Sequence, residues 1–402
     1  MIINRAFRYE LKPNLSQRRA LEKHAGTARF AYNWGLNQRI ALYENEKKST
    51  NAIEQHRQLN ILKVSEFCWM YEVSKCAPQE ALRDLDRAFK NFFRGLKEGH
   101  SIGFPAFKRK GGHDSFRLTG TIKVKDRKIQ LPRIGSVGLK ETSKVEGKIL
   151  STTISREATR WYVSVSVEIE RPDPIPVQGE SVGIDMGLTC FATLSNGEKI
   201  IAPKPLAKSL QRIKKASKKH SRKCIGSKNR KKSALKLSSL HRKNRNIRKD
   251  FLHKTTTHLA KTKPMIVLED LHVKEMAKNK KFSRSISDAG WREFRSMLEY
   301  KTKWYGSKLS IAPKYYPSSK LCSKCDYLLK ELPIDVRRWQ CPGCQGINDR
   351  DVNAAMNLLK FGTGSSPGIH ACGDTSDGTS EQLVSHVSVK QEVMSGIFVH
   401  KL

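Results

Sequence analysis

The sequence predicts an α+β multidomain protein. Three observations carry that expectation. Residues 2–12 and 115–170 alternate apolar and polar side chains as strands do, whereas 16–97 and 204–249 carry helical spacing. The Pro-rich stretch 171–180 (RPDPIPVQGE) separates this first region from a second one that opens on the apolar run VGIDMG. Two C-x-x-C pairs, Cys322/Cys325 and Cys341/Cys344, mark out a small unit near the C-terminal end.

Taken in order, residues 2–12 (IINRAFRYELK) read as a strand ending before Pro13. A helix is expected over 16–44, where Leu21, Ala25, Ala28, Tyr32, Leu36 and Ile40 fall close to a 3.6-residue period. Further helices are expected at about 53–67 and 79–97. In the third, Leu82, Leu85, Ala88, Phe89, Phe92 and Phe93 read as a packed face in preference to a base-stacking platform. Gly103-Phe104-Pro105 breaks the pattern, and strands are expected at 115–124, 127–131, 148–155 and 160–170. Beyond the linker, VGIDMGLTCFATLSNGEKII reads as a buried strand, a second strand, an Asn196-Gly197 turn and a third strand. Residues 204–249 contain nineteen Lys/Arg and no Asp or Glu, and read as a helical pair with a basic exterior. PMIVLEDL (264–271) is a compact strand ending in acid, and helices are expected over 287–306 and about 352–361. In the last helix Val352, Ala355, Met356 and Leu359 are the expected buried stripe. From Gly362 the tail is Gly/Ser/Thr-rich and reads as poorly ordered, with at most a short strand near 385–390.

Charge narrows the function. The 402 residues carry 76 Lys/Arg against 38 Asp/Glu, a formal net charge of +38. Such an excess repels itself, and a polyanion relieves it, so nucleic acid is the expected partner. A basic membrane-surface protein is the rival, but no basic amphipathic helix with a strong apolar face supports it. No apolar run reaches the roughly 18 residues of a membrane span, and Met1–Lys12 lacks the apolar segment of a signal peptide, so a cytoplasmic location is expected. Nine cysteines, an odd number, argue against a disulfide framework.

The cysteine cluster is C-x-x-C, fifteen residues, then C-x-x-C, a spacing that supplies four thiolates to one tetrahedral zinc ion. Four sulfur ligands leave no open position, so the expected role is structural. Three further motifs carry acids. Asp185 lies in VGIDMG and Glu269 closes IVLEDL; a carboxylate at the end of a buried strand is costly unless it meets a cation. RNase H-like nucleases and actin-like sugar kinases both place an acid on such a first strand, but the kinases also need phosphate-binding Gly/Thr loops, and none is evident. Asp270 should point away from Glu269 if the strand geometry persists. In DRDVNAAMNLL (349–359), Asp349 and Asp351 open a helix, where an acid is ordinarily a cap. Together, acids from three separate elements can hold two divalent cations, and Mg²⁺ is the hard, oxygen-seeking candidate.

The order GIDMG, basic helices, VLEDL, two C-x-x-C pairs and DRDVNAAMN resembles the TnpB family, transposon-encoded proteins related to the compact type V CRISPR nucleases. GTARFAYNWGLNQR (26–39), NFFRGLK (91–97), GFPAFKRK (103–110), ISDAGWREFRSMLEYK (286–301) and YYPSSKLCSKC (315–325) extend the resemblance over nearly all of 1–361. It implies an RNA-guided DNA endonuclease that uses a guide RNA from the transposon end and cuts double-stranded DNA beside a short target-adjacent motif. The implied fold is a wedge-like β-barrel (1–14 and 100–172) with an inserted helical recognition lobe (15–99). A RuvC-like, RNase H-like nuclease domain (179–320 and 346–361) would carry an inserted zinc ribbon (321–345), leaving 362–402 as tail. Asp185, Glu269 and Asp351 match the family's catalytic, Mg²⁺-binding acids. Geometry alone leaves Asp349 open beside Asp351, and the D-x-N-A-A pattern selects Asp351. Lys75 and Gln79, in EVSKCAPQEAL, match positions that contact the target-adjacent motif, although Cys76 and Pro78 differ from the residues usual there. Lys214, Lys215, Lys218 and Lys219 are the lysines of the basic segment expected to bind nucleic acid. A guided repressor without catalysis is the rival within the family, but such relatives have typically lost catalytic acids, and all three are present. An RNase H-like DNA transposase also uses three acids but would not account for the basic insert and ribbon at these positions.

Overall fold

The computed structural model describes residues 1–99 and 102–364. The expectations for the tail beyond 364 lie outside the described residues.

Strand β1 (Ile2–Lys12) leads into helices α1 (Leu15–Glu46) and α2 (Ala52–Ser65), a 3-10 turn at Cys68–Glu72, and helix α3 (Cys76–Lys97). Asn14 and Asn51 begin α1 and α2 with reciprocal caps, bonded to Gln17 and Glu54 three residues on. Strands β2 (Ser115–Leu118), β3 (Lys123–Lys125), β4 (Lys128–Leu131), β5 (Gly135–Leu139), β6 (Lys148–Glu157) and β7 (Arg160–Glu170) complete a seven-stranded sheet in the order β2-β6-β7-β1-β5-β4-β3. β1 spans both halves: residues 2–10 pair with β7, and Leu11 and Lys12 pair with β5. The sheet is open, which corrects the expected barrel. Closure needs hydrogen bonds between the two edges, but β2 has four residues lying against α1 and α3, and β3 has only three.

The second sheet places β8 (Val182–Asp185) at its centre. β9 (Ala192–Leu194) and β10 (Lys199–Ile200) extend it antiparallel on one side. Helices α4 (Pro205–Ser221) and α5 (Lys228–Thr262) form the expected basic pair, after which β11 (Met265–Glu269) pairs parallel to β8. Short helices α6 (Val273–Met276) and α7 (Ser283–Ala289) precede α8 (Trp291–Tyr305) and β12 (Lys308–Ala312), which pairs parallel to β11. The strand order is β10-β9-β8-β11-β12. The helix expected over 287–306 is broken at Gly290, whose φ of 74° ends α7 and starts α8. Strands β5 and β12 are additions to the sequence reading.

The cysteine unit contains the hairpin β13 (Arg338–Gln340) and β14 (Ile347–Asp349), and the last described helix is α9 (Arg350–Thr363). Val182, Ile184, Ile266 and Leu268 point to one face of the second sheet, into a core shared with Leu252, Leu259, Phe294 and Leu298 of α5 and α8. Val267 points to the other face and packs with Leu358 of α9. α9 is rotated from the expected stripe: Met356 is exposed and Val352 half-buried, whereas Asn353, Ala354, Ala355, Asn357 and Leu358 are buried. Among the described residues, no helix is long and apolar enough to cross a membrane.

Candidate metal centre and nucleic-acid surfaces

β8 and β11 bring the first two acids together. Their register ends at Leu268 opposite Ile184, so the next residues, Glu269 and Asp185, are neighbours at the ends of parallel strands. Because Ile184 and Leu268 face the α5–α8 core, Asp185 and Glu269 face α9. Gly183, on that same face, allows the helix to lie directly on the strand. A Cβ there would stand 2.0 Å from the Ala355 carbonyl oxygen and 2.5 Å from the Leu359 nitrogen. Asp351 is one turn before Ala355 and therefore sits above the strand end that carries Asp185.

The electrostatics register this meeting. Burial pushes the Asp185 carboxyl up to about 7, with the Asp351 and Glu269 carboxylates adding to the rise and Arg350 and Arg337 opposing it. Burial, then the Asp270 charge, also raises Glu269. Asp270 itself points away, as expected, and pairs with Arg295 of α8. Arg337 of the cysteine unit reaches Asp351 at 3.3 Å. Crowded acids disfavour one another's charge, and an all-oxygen donor set suits a hard divalent ion in its chemistry, although among the described residues these carboxylates are not drawn together as closely as the ligands of one ion.

Asp349 has a different occupation. Its Oδ1 accepts from the backbone nitrogens of Asp351 (3.1 Å) and Val352 (3.2 Å), capping α9, and its Oδ2 meets Lys199 at 3.3 Å. Burial works against its charge, but these N–H groups and Lys199 hold the carboxyl below the usual range.

The four cysteines converge. All four Sγ atoms lie within 4.8 Å of one another, with Cys322 and Cys344 at 3.8 Å and Cys325 and Cys341 at 3.5 Å. A tetrahedron with Zn–S bonds near 2.3 Å has edges of about 3.8 Å, so the cluster fits zinc. Burial opposes ionisation of Cys322, yet the backbone N–H groups of Cys325 and Lys324 bring its thiol down to about 6. Among the described residues this is the one group of three or more such ligands gathered closely enough for a single ion.

The sequence reading missed the clamp between this unit and α9. Asn353 donates to the Leu321 carbonyl (2.7 Å) and accepts from the Ser323 nitrogen (2.8 Å). Asn357, one turn on, donates to the carbonyls of Leu321 (2.6 Å) and Ser318 (2.8 Å). The signal was present as two Asn four residues apart in DRDVNAAMN. Through this clamp the segment leading into Cys322 is fastened to the helix that carries Asp351. Arg337 and Arg350, whose charges act on Asp185, were also missed.

The four lysines of the basic segment divide between two faces of α4. All are exposed, but Lys215 and Lys219 line a groove of about 580 Å³ with Lys223, Lys232 and Lys236, whereas Lys214 and Lys218 lie outside its walls. Lys75 is exposed at the N-terminus of α3, and Gln79 is half-buried one turn on. Cys76 and Pro78 are buried, with the Cys76 Sγ beside the Thr119 carbonyl at 3.5 Å.

This architecture defines a Cas12f-like α+β multidomain protein. The chain in "Cryo-EM structure of the Cas12f1-sgRNA-target DNA complex" matches it with a TM-score of 0.52 and 16% identity, over 89% of this chain and 98% of that one. The chain belongs to the TnpB family. Two relatives bear the name "Putative RNA-guided DNA endonuclease". One, from Streptomyces pristinaespiralis, is 38% identical over 97% of this chain and 96% of its own length. The other, InsQ of Escherichia coli (strain K12), is 31% identical over 92% and 94%. Family models match as "Probable transposase" over 164–280, "Cas12f1-like, TNB domain" over 291–358 and "Helix-turn-helix domain" over 1–48. The last description departs from the geometry, since 1–48 holds strand β1 and the unbroken 32-residue helix α1.

Proposed function

We propose that this protein is an RNA-guided, divalent-metal-dependent DNA endonuclease that cleaves double-stranded DNA beside a short target-adjacent motif. What supports the reading is that Asp185 and Glu269 end neighbouring parallel strands and that the Asp351 charge acts on Asp185, in a family whose relatives are named for that activity. The strand order, with one antiparallel meander and two parallel additions, supports a RuvC-like, RNase H-like domain over 179–320 and 346–361. Residues 1–14 and 100–172 would be its wedge, 15–99 its recognition lobe and 321–345 its zinc ribbon.

Asp185, Glu269 and Asp351 would hold two Mg²⁺ ions. Bound there, the ions supply Lewis-acid stabilisation of the phosphodiester and an acidified water. The protein's own part is positional. Gly183 sets the height of α9, Asp349 caps it, and Asn353 and Asn357 fasten it to the ribbon, so that Asp351 stands opposite two acids fixed by sheet register. Zinc held by Cys322, Cys325, Cys341 and Cys344 would keep the ribbon, and with it Arg337, against Asp351. The Lys215–Lys219 groove would carry nucleic-acid backbone, and Lys75 and Gln79 would face the target-adjacent motif.

The test is to purify the protein with its RNA, sequence that RNA and challenge the complex with matching plasmids randomised beside the target. Linear product that needs Mg²⁺, a matching target and a defined flanking motif is expected. Absence of bound RNA, or cutting that ignores the guide, refutes the reading.

A further inference from the structure

A cleft lies between the β6–β7 turn and α5. It encloses about 420 Å³, and its walls include Arg156, Glu157, Arg242, Arg245 and Arg248. Four guanidinium groups around one carboxylate exceed what the fold's ion pairs require. Arg156 is taken by Asp114, and Arg245 by Glu157. Among the described residues Arg242 has no ion pair and makes a long bond to the Tyr162 hydroxyl, at 3.4 Å. Arg248 donates at 3.3 Å to the Ser287 carbonyl and has no ion pair among the described residues. A planar guanidinium is shaped to meet phosphate oxygens.

The cleft is also one end of a track. Arg242 lines a second cleft of about 780 Å³ beside Arg8, Arg160 and Lys236, and Lys236 lines the α4–α5 groove. From Lys232 to Arg248 the cationic side of α5 runs about 24 Å. Glu157 is the carboxylate of the first cleft, while Glu10 and Glu141 line the second. Glu157 bridges Arg8, at 2.6 Å, and Arg245, and so ties the first sheet to α5 with an internal anion.

We propose that this arginine cleft is a binding site for a nucleic-acid backbone phosphate, with Arg242 and Arg248, which have no carboxylate partner among the described residues, as its ligands and Glu157 as the anion that phosphate competes with for Arg245. The inference rests on the reading that the chain handles nucleic acid, and names one place where it does so. Phosphate from guide RNA or from target DNA would satisfy the same donors.

The experiment uses the full chain, freed of co-purified RNA, and three labelled probes of one arbitrary sequence: a 20-nucleotide RNA, an RNA–DNA heteroduplex and a DNA duplex. Affinity is measured across a salt series for wild type, Arg242→Gln/Arg248→Gln and Glu157→Gln. Losing two contacts should flatten the log–log salt slope by about 1.4 for the single strand and about 1.8 for a duplex. Glu157→Gln should move the other way and tighten binding several-fold, because it frees Arg245. The probe that shows both effects identifies the source of the phosphate. A purely structural ion-pair cluster predicts lower melting temperatures with no change in slope. Unchanged slopes for the double variant, or a Glu157→Gln protein that binds no more tightly than wild type, would overturn the proposal. If the double variant does not fold, the Glu157→Gln result decides alone. A wild type that binds none of the probes refutes the nucleic-acid reading itself.

Discussion

Gly183→Ala should damage cleavage far more than stability. The added Cβ would meet two backbone atoms of α9, the Ala355 oxygen at 2.0 Å and the Leu359 nitrogen at 2.5 Å. Neither is the end of a flexible side chain. Ordinary contact begins near 3.4 Å, so the helix must withdraw by about 1.4 Å or tilt by an equivalent amount at this point. Overpacking of this kind costs about 1–3 kcal/mol, short of the 5–15 kcal/mol that typically holds a domain folded. Asp351, one turn away on the same helix, must shift relative to Asp185 and Glu269, and misplacing a reacting group by 1 Å can lower a rate by about 10²-fold. The assay is single-turnover cleavage of a matched plasmid at saturating Mg²⁺, with guided DNA binding and melting temperature measured in parallel. Gly103→Ala, at a position with no atom near its Cβ, is the control. A Gly183→Ala protein that melts lower yet cuts within about three-fold of wild type would refute the claim that α9's seat on β8 sets the site.

Other expectations follow from the same geometry. With Asp185 raised to about 7, the folded state holds its proton more tightly than the unfolded chain, so metal-free stability falls as pH climbs from about 4 to 7. Asp185→Asn should therefore raise the melting temperature in Mg²⁺-free buffer by a few degrees at pH 8 and much less at pH 5; an equal gain at both pH values would count against the acid cluster. The full shift corresponds to at most about 4 kcal/mol. Cys341→Ser should lose bound zinc and at least 10-fold in cleavage while RNA stays bound, whereas Asn353→Ala should keep zinc and still lose activity. Full cleavage by both variants would separate the ribbon from the site. Reversing Lys215 and Lys219 to Glu should weaken RNA or hybrid binding and flatten its salt slope more than reversing Lys214 and Lys218; equal effects would make the groove irrelevant.

Much of this architecture is legible in local patterns. β1, α1 and the basic helical pair carry one periodicity through a whole element, and acids that close apolar runs point to Asp185 and Glu269. What local patterns omit is pairing. β12 (KLSIA) shows weak alternation and exists as a strand through β11, and β5 (GSVGL) carries two glycines that blur its signal. The barrel expectation failed for the same reason, since edge closure depends on strand lengths and on what α1 and α3 cover. The break at Gly290 was hidden because the apolar spacing continues through it. Asn353 and Asn357 read as polar surface in a helix until the loop before Cys322 is seen to bury them. The same rotation of α9 exposes Met356, which hydrophobicity alone assigns to the core.

Two carboxylates two residues apart divide their labour in the proposed mechanism: Asp349 caps α9, and Asp351 is the one proposed to hold metal. The most direct measurement of this division is guided cleavage of both DNA strands by Asp349→Ala and Asp351→Ala, beside Asp185→Ala and Glu269→Ala, each as a complex shown to bind target DNA. Asp351→Ala, Asp185→Ala and Glu269→Ala should bind target without cutting either strand. Asp349→Ala, losing a cap worth about 1 kcal/mol, should retain measurable cleavage. An active Asp351→Ala beside an inactive, folded Asp349→Ala would contradict that division.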